Sequence, residues 1–225
     1  MVWQFAEDYI VGKFYLSHEG SWRSHIDELM TELQQIDSNR EKGSVRMRVQ
    51  NFESLHTGAG LSNAAIQSKR VYGALVDRAK NPLAYSALQT YIDANYILDA
   101  LAGPTGTTAF VPIELIGPSF QELLFKFIDD RKMKDSEVYR RSCVGRDVFS
   151  NIRNGKSVSK RTIKQLCFGL KLSYEDAVIL LASAGYAFSN NDIGDLVVVY
   201  FLKNKIYDIY EANIELYERK QALLF

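Results

Sequence analysis

The chain of 225 residues carries 27 basic and 27 acidic side chains, so its formal net charge is zero; 47% of it is hydrophobic and 24% charged. That balance excludes wholesale disorder and a protein that coats nucleic acid without discrimination, and the length suits one large domain or two small ones. Two cysteines, Cys143 and Cys167, cannot form a disulfide framework, so a reducing cytoplasm is the expected location.

In chain order, the opening MVWQFAEDYIVGKF places acids inside an apolar run and has no basic leader, which argues against a signal peptide. No window is apolar for long enough to span a membrane, and no membrane partner is expected. Apolar periodicity predicts helices over 7–16, 24–36, 44–55, 62–79 and 83–101, with Ser24 and Ser44 as N-caps. All four prolines (Pro82, Pro104, Pro112, Pro118) fall in one stretch, and residues 102–118 read as a Pro/Gly-containing connector.

Beyond the connector, Ser119 and Glu122 form a capping-box pattern ahead of Phe120, Leu123, Leu124, Phe127 and Ile128 on one face. Short helices follow over 136–143, 146–154 and 160–170, with Gly155 placed for a left-handed C-cap. Ser173 and Asp176 start another helix, and 193–224 reads as two more. The expected fold is all-α: a helical domain over 1–101, the connector, and a helix-turn-helix bundle with extra C-terminal helices over 119–225.

Five short helices with tight turns suit a helix-turn-helix, in which one helix enters a major groove. Phe149, Ile152, Gly155, Ser159, Thr162, Leu166, Leu170, Leu172, Ser173, Leu180 and Leu181 give the segment 119–189 a pattern that resembles the lambda-repressor-like (Cro/C1, XRE) domains. Tyr139 stands where that family usually has a small residue, and Cys143 where it often has glycine. The resemblance implies a DNA-binding regulator that works as a dimer.

Charge is an independent signal. Residues 131–171 hold twelve basic residues against three acids, an excess of nine inside a neutral chain. The exposed positions of the expected recognition helix are Arg146, Asp147, Ser150, Asn151 and Asn154; arginine pairs with guanine and asparagine with adenine. Arg140, Arg153, Lys156, Lys160 and Arg161 are expected on phosphates. Asn154 fits a helix C-cap equally well.

At the N-terminus, Trp3, Glu7, Asp8, Ser44, Val45, Asn51, Phe52, Leu55, Gly60, Leu61, Ser62, Asn63, Arg70 and Val71 form a set. It resembles the small helical domain found ahead of bacterial HNH endonucleases, and Myb-like modules. Residues 40–80 hold eight basic residues against three acids, with Arg46 and Arg48 pointing outward as further candidate contacts.

The chemistry of an enzyme is not expected. His18, His25 and His56 show no metal-ligand spacing and no HNH motif, and there is no P-loop or dinucleotide fingerprint. No cofactor and no metal are expected. The cysteines read as buried small hydrophobes. Tyr200, Tyr207, Tyr210 and Tyr217 offer a dimer interface, or pack back on their own domain. The leading expectation is a bacterial or phage transcriptional regulator binding double-stranded DNA. The alternative is a non-enzymatic interaction module, acting on a protein partner in phage–host conflict, that retains the helix-turn-helix fold.

Overall fold

The computed structural model describes residues 2–59, 64–80, 82–96 and 118–225. Among these the chain is all-α, with twelve α-helices, one short 3-10 turn and no strand. No described helix is long and apolar enough to cross a membrane. Two compact units are distinguished, Met1–Tyr85 and Ser86–Phe225. Apart from Pro118, the expected connector lies outside the described residues, as do positions 60–63 and the end of the helix expected over 83–101.

In the first unit, α1 (Phe5–Ser17), α2 (Ile26–Gln34), α3 (Lys42–Thr57) and α4 (Ile66–Lys80) enclose Val11, Leu29, Leu33, Val45, Val49, Phe52 and Val71, all at most 1% exposed. Helix α1 packs on the other three. It does so at Gly12: a Cβ there would lie 2.7 Å from side-chain atoms of Phe52 and Leu75. Only glycine permits that approach.

Ser24 and Ser44 do not cap their helices. Trp22 is buried and draws 22–24 into a 3-10 turn, where the Ser24 hydroxyl donates to the Ser21 carbonyl at 2.7 Å; His25 is the N-cap of α2. Helix α3 begins two residues before Ser44, with Glu41 as its N-cap.

Helix α5 (Pro82–Asn95) opens on Pro82, where a missing N–H costs nothing. Its later residues belong to the second unit, where the Tyr91 ring lies 5.5 Å from that of Tyr200. The unit continues with α6 (Phe120–Asp130), α7 (Asp135–Arg141), α8 (Arg146–Arg153), α9 (Lys160–Gly169), α10 (Tyr174–Ser183), α11 (Ile193–Lys203) and α12 (Ile209–Glu218). The expected capping box forms at α6: the Glu122 N–H donates to Ser119 Oγ at 3.3 Å, and the Ser119 N–H donates to Glu122 Oε2 at 2.8 Å. Helix α11 is buried along nearly its whole length from Gly194 to Leu202 and forms the centre of the unit against α10 and α12.

One closing device recurs through 118–225. Each of the seven helices α6–α12 ends in a residue with φ between 51° and 78°, at Lys132, Cys143, Gly155, Lys171, Gly185, Lys205 and Lys220. The next residue's N–H then donates to the carbonyl five residues back, at 2.9–3.1 Å. These are Schellman closures, which satisfy carbonyls the helix leaves unpaired. Gly155 is where the sequence placed it.

Candidate nucleic-acid interface

Helix α8 is held by its inner face. Phe149 and Ile152 are 3% and 1% exposed, and the Tyr139 ring of α7 lies 6.1 Å from that of Phe149. The large side chain at 139 is therefore absorbed as an aromatic contact between the two helices. Residues 142–145 form the turn from α7 to α8, with Cys143 in the left-handed region at φ 54°. That conformation explains why glycine suits the position. The turn leans on α9: a Cβ on Gly169 would fall 1.9 Å from Ser142 Oγ and 2.8 Å from the Ser142 nitrogen.

The outer face of α8 carries Arg146, Asp147, Ser150, Asn151, Arg153 and Asn154, all exposed, followed by exposed Lys156. Arg146, Asp147, Ser150, Asn151, Asn154 and Lys156 make no side-chain hydrogen bond or ion pair among the described residues. Asn154 is the C-cap residue, so its backbone takes the role the sequence allowed it. Arg153 pairs with Asp135 at 2.7 Å and lies 5.1 Å from the Phe125 ring centre, yet stays 57% exposed. Such surface pairs are weak and exchange readily for another anion. Exposed Arg140 donates through Nε to the Ser136 carbonyl at 2.8 Å.

Two of the expected cation contacts are committed inside the fold. Lys160 and Lys164 both bind Asp195, which is fully buried on α11 and also accepts the Ser189 N–H at 2.8 Å. Freeing Lys160 would leave Asp195 short of one of its two ammonium partners inside the unit. Arg48 donates twice to Asp8, both at 2.6 Å, with its side chain 12% exposed. Arg161 is intermediate: exposed, but with Nε donating to the Leu224 carbonyl at 2.8 Å, where it anchors the C-terminal tail. Arg46 stays exposed on α3.

Acids remote in sequence reduce both expected basic surfaces. Asp176 pairs with Arg131 at 3.3 Å, and Asp195 takes the two lysines, so the excess of nine over 131–171 falls to seven. In the first unit Glu7, Asp8, Asp27 and Asp37, all outside 40–80, pair with Arg40, Arg48 and Lys42, so most of the excess of five over that window is answered.

The acid cluster of the first unit is structural in its geometry. Glu7 accepts from Arg40 Nε at 2.5 Å and Nη2 at 2.6 Å, and both side chains are at most 1% exposed. Asp8 also accepts from Gln67 Nε2 at 2.7 Å and Ser68 Oγ at 3.2 Å. Arg40 and Arg48 lie 4.4 and 4.9 Å from the Trp3 ring centre. The hydrogen bond to Glu7 holds the Arg40 guanidinium above its ordinary pKa, against the opposing effect of burial. Glu7 thus holds α1 to Arg40 just ahead of α3, and Asp8 ties α1 to Arg48 of α3 and to Gln67 and Ser68 of α4.

The tail tyrosines are divided between the core and its margin. Tyr200 and Tyr210 are buried at 5% and 8%, and Tyr207 and Tyr217 are half-buried. Tyr210 packs on Phe225 with ring centres 4.8 Å apart. Tyr200 and Tyr210 are therefore used within their own unit and are not free to form a dimer face. Cys167 is fully buried, and desolvation pushes its thiol up to about 12, which removes it as a nucleophile.

Comparison with models of protein families, with curated proteins and with solved structures finds no match to this chain.

Proposed function

We propose that the chain is a non-enzymatic regulator, of bacterial or phage origin, that binds double-stranded DNA through α8 as the recognition helix of a helix-turn-helix. The observation that carries this reading is the outer face of α8, where Arg146, Ser150 and Asn151 stand exposed without side-chain partners among the described residues. Polar side chains exposed on the outer face of a helix whose inner face is held by Phe149 and Ile152 suit a ligand rich in hydrogen-bonding groups. Arg146 and Asn151 read base edges in this scheme. Arg140, Arg153, Lys156 and the free guanidinium nitrogens of Arg161 hold phosphates. Lys160 and Arg48 are left to the fold. The regulator works as a homodimer in a reducing cytoplasm.

Selection from a random duplex pool tests the reading. Enrichment of one sequence with two-fold symmetry is the expected outcome, and enrichment lost with Asn151→Ala assigns the base contact. A pool returned without enrichment overturns sequence-specific binding.

A second reading is supported by apolar exposure. Val148 on α8 is 44% exposed, and Val178 and Ile179 on α10 are 39% and 53% exposed. These suit a protein partner, as an interaction module in phage–host conflict would require. A stable complex on pull-down that is indifferent to DNA and lost with Ile179→Asp is its expected result.

A further inference from the structure

We infer that His18, His25 and Glu28 form a binding site for a single divalent transition ion of the Zn2+ class, independent of any nucleic-acid contact. The loop from the end of α1 to the start of α2 makes the site. His18 is the C-cap of α1 and His25 the N-cap of α2, and the chain turns between them at Gly20, with φ 75°. Seven positions apart in sequence, the two imidazoles come to a centroid separation of 4.6 Å. One ligand atom from each of His18, His25 and Glu28 lies within 4.8 Å of the others.

The details favour metal ligation over a chance surface cluster. His18 is already oriented: Nδ1 is 3.0 Å from the Phe14 carbonyl and the ring packs on Phe14 at 4.6 Å. A carbonyl can only accept, so Nδ1 carries the proton and Nε2 presents its lone pair, as outer-shell bonds fix it for metal-binding histidines. His25 Nδ1 and Glu28 Oε1 are 3.2 Å apart. That is close to the edge of about 3.4 Å that a tetrahedral ion with bonds of about 2.0–2.1 Å requires. The three ligand atoms lie within 4.8 Å of one another, and exposed Glu28 and half-buried His25 are the side chains left to adjust toward that edge while His18 keeps its bond to Phe14. Two nitrogens and one carboxylate oxygen select Zn2+, Co2+, Ni2+ or Cu2+ over Ca2+ and Mg2+. Three protein ligands leave the fourth position to solvent. An ion here clips the end of α1 to the start of α2 and stabilises the folded state by mass action.

His56 serves as the internal control. It lies 3.6 Å from Glu19 through Nε2 and 3.0 Å from Tyr72 Oη through Nδ1, so both of its ring nitrogens are engaged elsewhere. Calorimetric titration of the full chain with Zn2+ should give one equivalent. His18→Ala and His25→Ala should each weaken binding by more than about a hundredfold, beyond the losses typical of outer-shell changes, while His56→Ala leaves it unchanged. Co2+ bound to the unsubstituted chain should show visible ligand-field bands without thiolate-to-cobalt charge transfer, a readout that does not depend on any variant folding. A charge-transfer band would assign the ion to cysteine and overturn the inference. So would the absence of saturable binding, or binding undiminished in His18→Ala/His25→Ala.

Discussion

Glu7 and Asp8 are consecutive residues of α1, both fully buried, and each is answered by an arginine from elsewhere in the first unit. Two adjacent acids in an apolar run would be costly without those guanidiniums, because burial of an unpaired carboxylate is penalised far more than a neutral group. Arg40→Ala should therefore lower stability by about 3–5 kcal/mol, the cost of leaving one member of a buried pair behind. Urea unfolding measures it; a loss below about 1 kcal/mol would show that Glu7 finds solvent or another donor. Glu53 gives a pH test at the same scale. Burial tends to raise its pKa, but hydrogen bonds from Arg23 at 3.2 Å and from Trp22 Nε1 at 3.2 Å hold it below the ordinary value of 4.5. A depressed carboxylate contributes stability that is present above its unfolded pKa and lost as pH falls through the folded one. Glu53→Gln should thus destabilise the chain at neutral pH, with the difference from wild type shrinking below pH 4.5. A difference that grows on acidification contradicts this assignment.

At the scale of the element, the repeated closure of α6–α12 shows which parts of the fold the sequence discloses. Ser119 with Glu122, and Gly155, are legible because their residue types are nearly specific for a capping box and a left-handed C-cap. Lys132, Lys171, Lys205 and Lys220 adopt the same left-handed conformation but give no such signal. Lysine bears a steric penalty there, which its charge beside the carbonyl end of the helix dipole offsets only in part. Lys171→Gly should raise stability by about 0.5 kcal/mol, as relief of the backbone outweighs the lost charge. A thermal unfolding series decides, and a fall in Tm would mean that the lysine charge is the larger effect. Ser24 and Ser44 fail as caps for a tertiary reason: burial of Trp22 claims Ser24 for the 3-10 turn, and α3 extends back to Lys42. Local propensity yields where packing sets the boundary.

For the molecule as a whole, helix content and the candidate face of α8 follow from apolar periodicity, which marks Phe149 and Ile152 as inward and their neighbours as outward. What periodicity leaves out is pairing between residues distant in sequence. Counting charges along a window credits Lys160 and Arg48 to a ligand, whereas Asp195 lies 35 positions from Lys160 and Asp8 lies 40 from Arg48. An acid inside an apolar run, such as Asp195 beside Leu196–Leu202, is the one sequence sign that a distant cation is spoken for. The histidine cluster is hidden for the same reason: His18 and His25 meet only because a loop with a left-handed glycine returns the chain on itself.

DNA recognition by this chain requires the exposed polar face of α8 to meet phosphates and bases. Fluorescence anisotropy of a labelled duplex against the full chain, repeated over a range of salt, tests it most directly. Binding at low salt is expected, its logarithm falling linearly with log salt, with the slope reduced by about one for each of the phosphate contacts removed in Arg153→Ala and Lys156→Ala. Binding that is absent at low salt, or a slope unchanged in the doubly substituted chain, would contradict it.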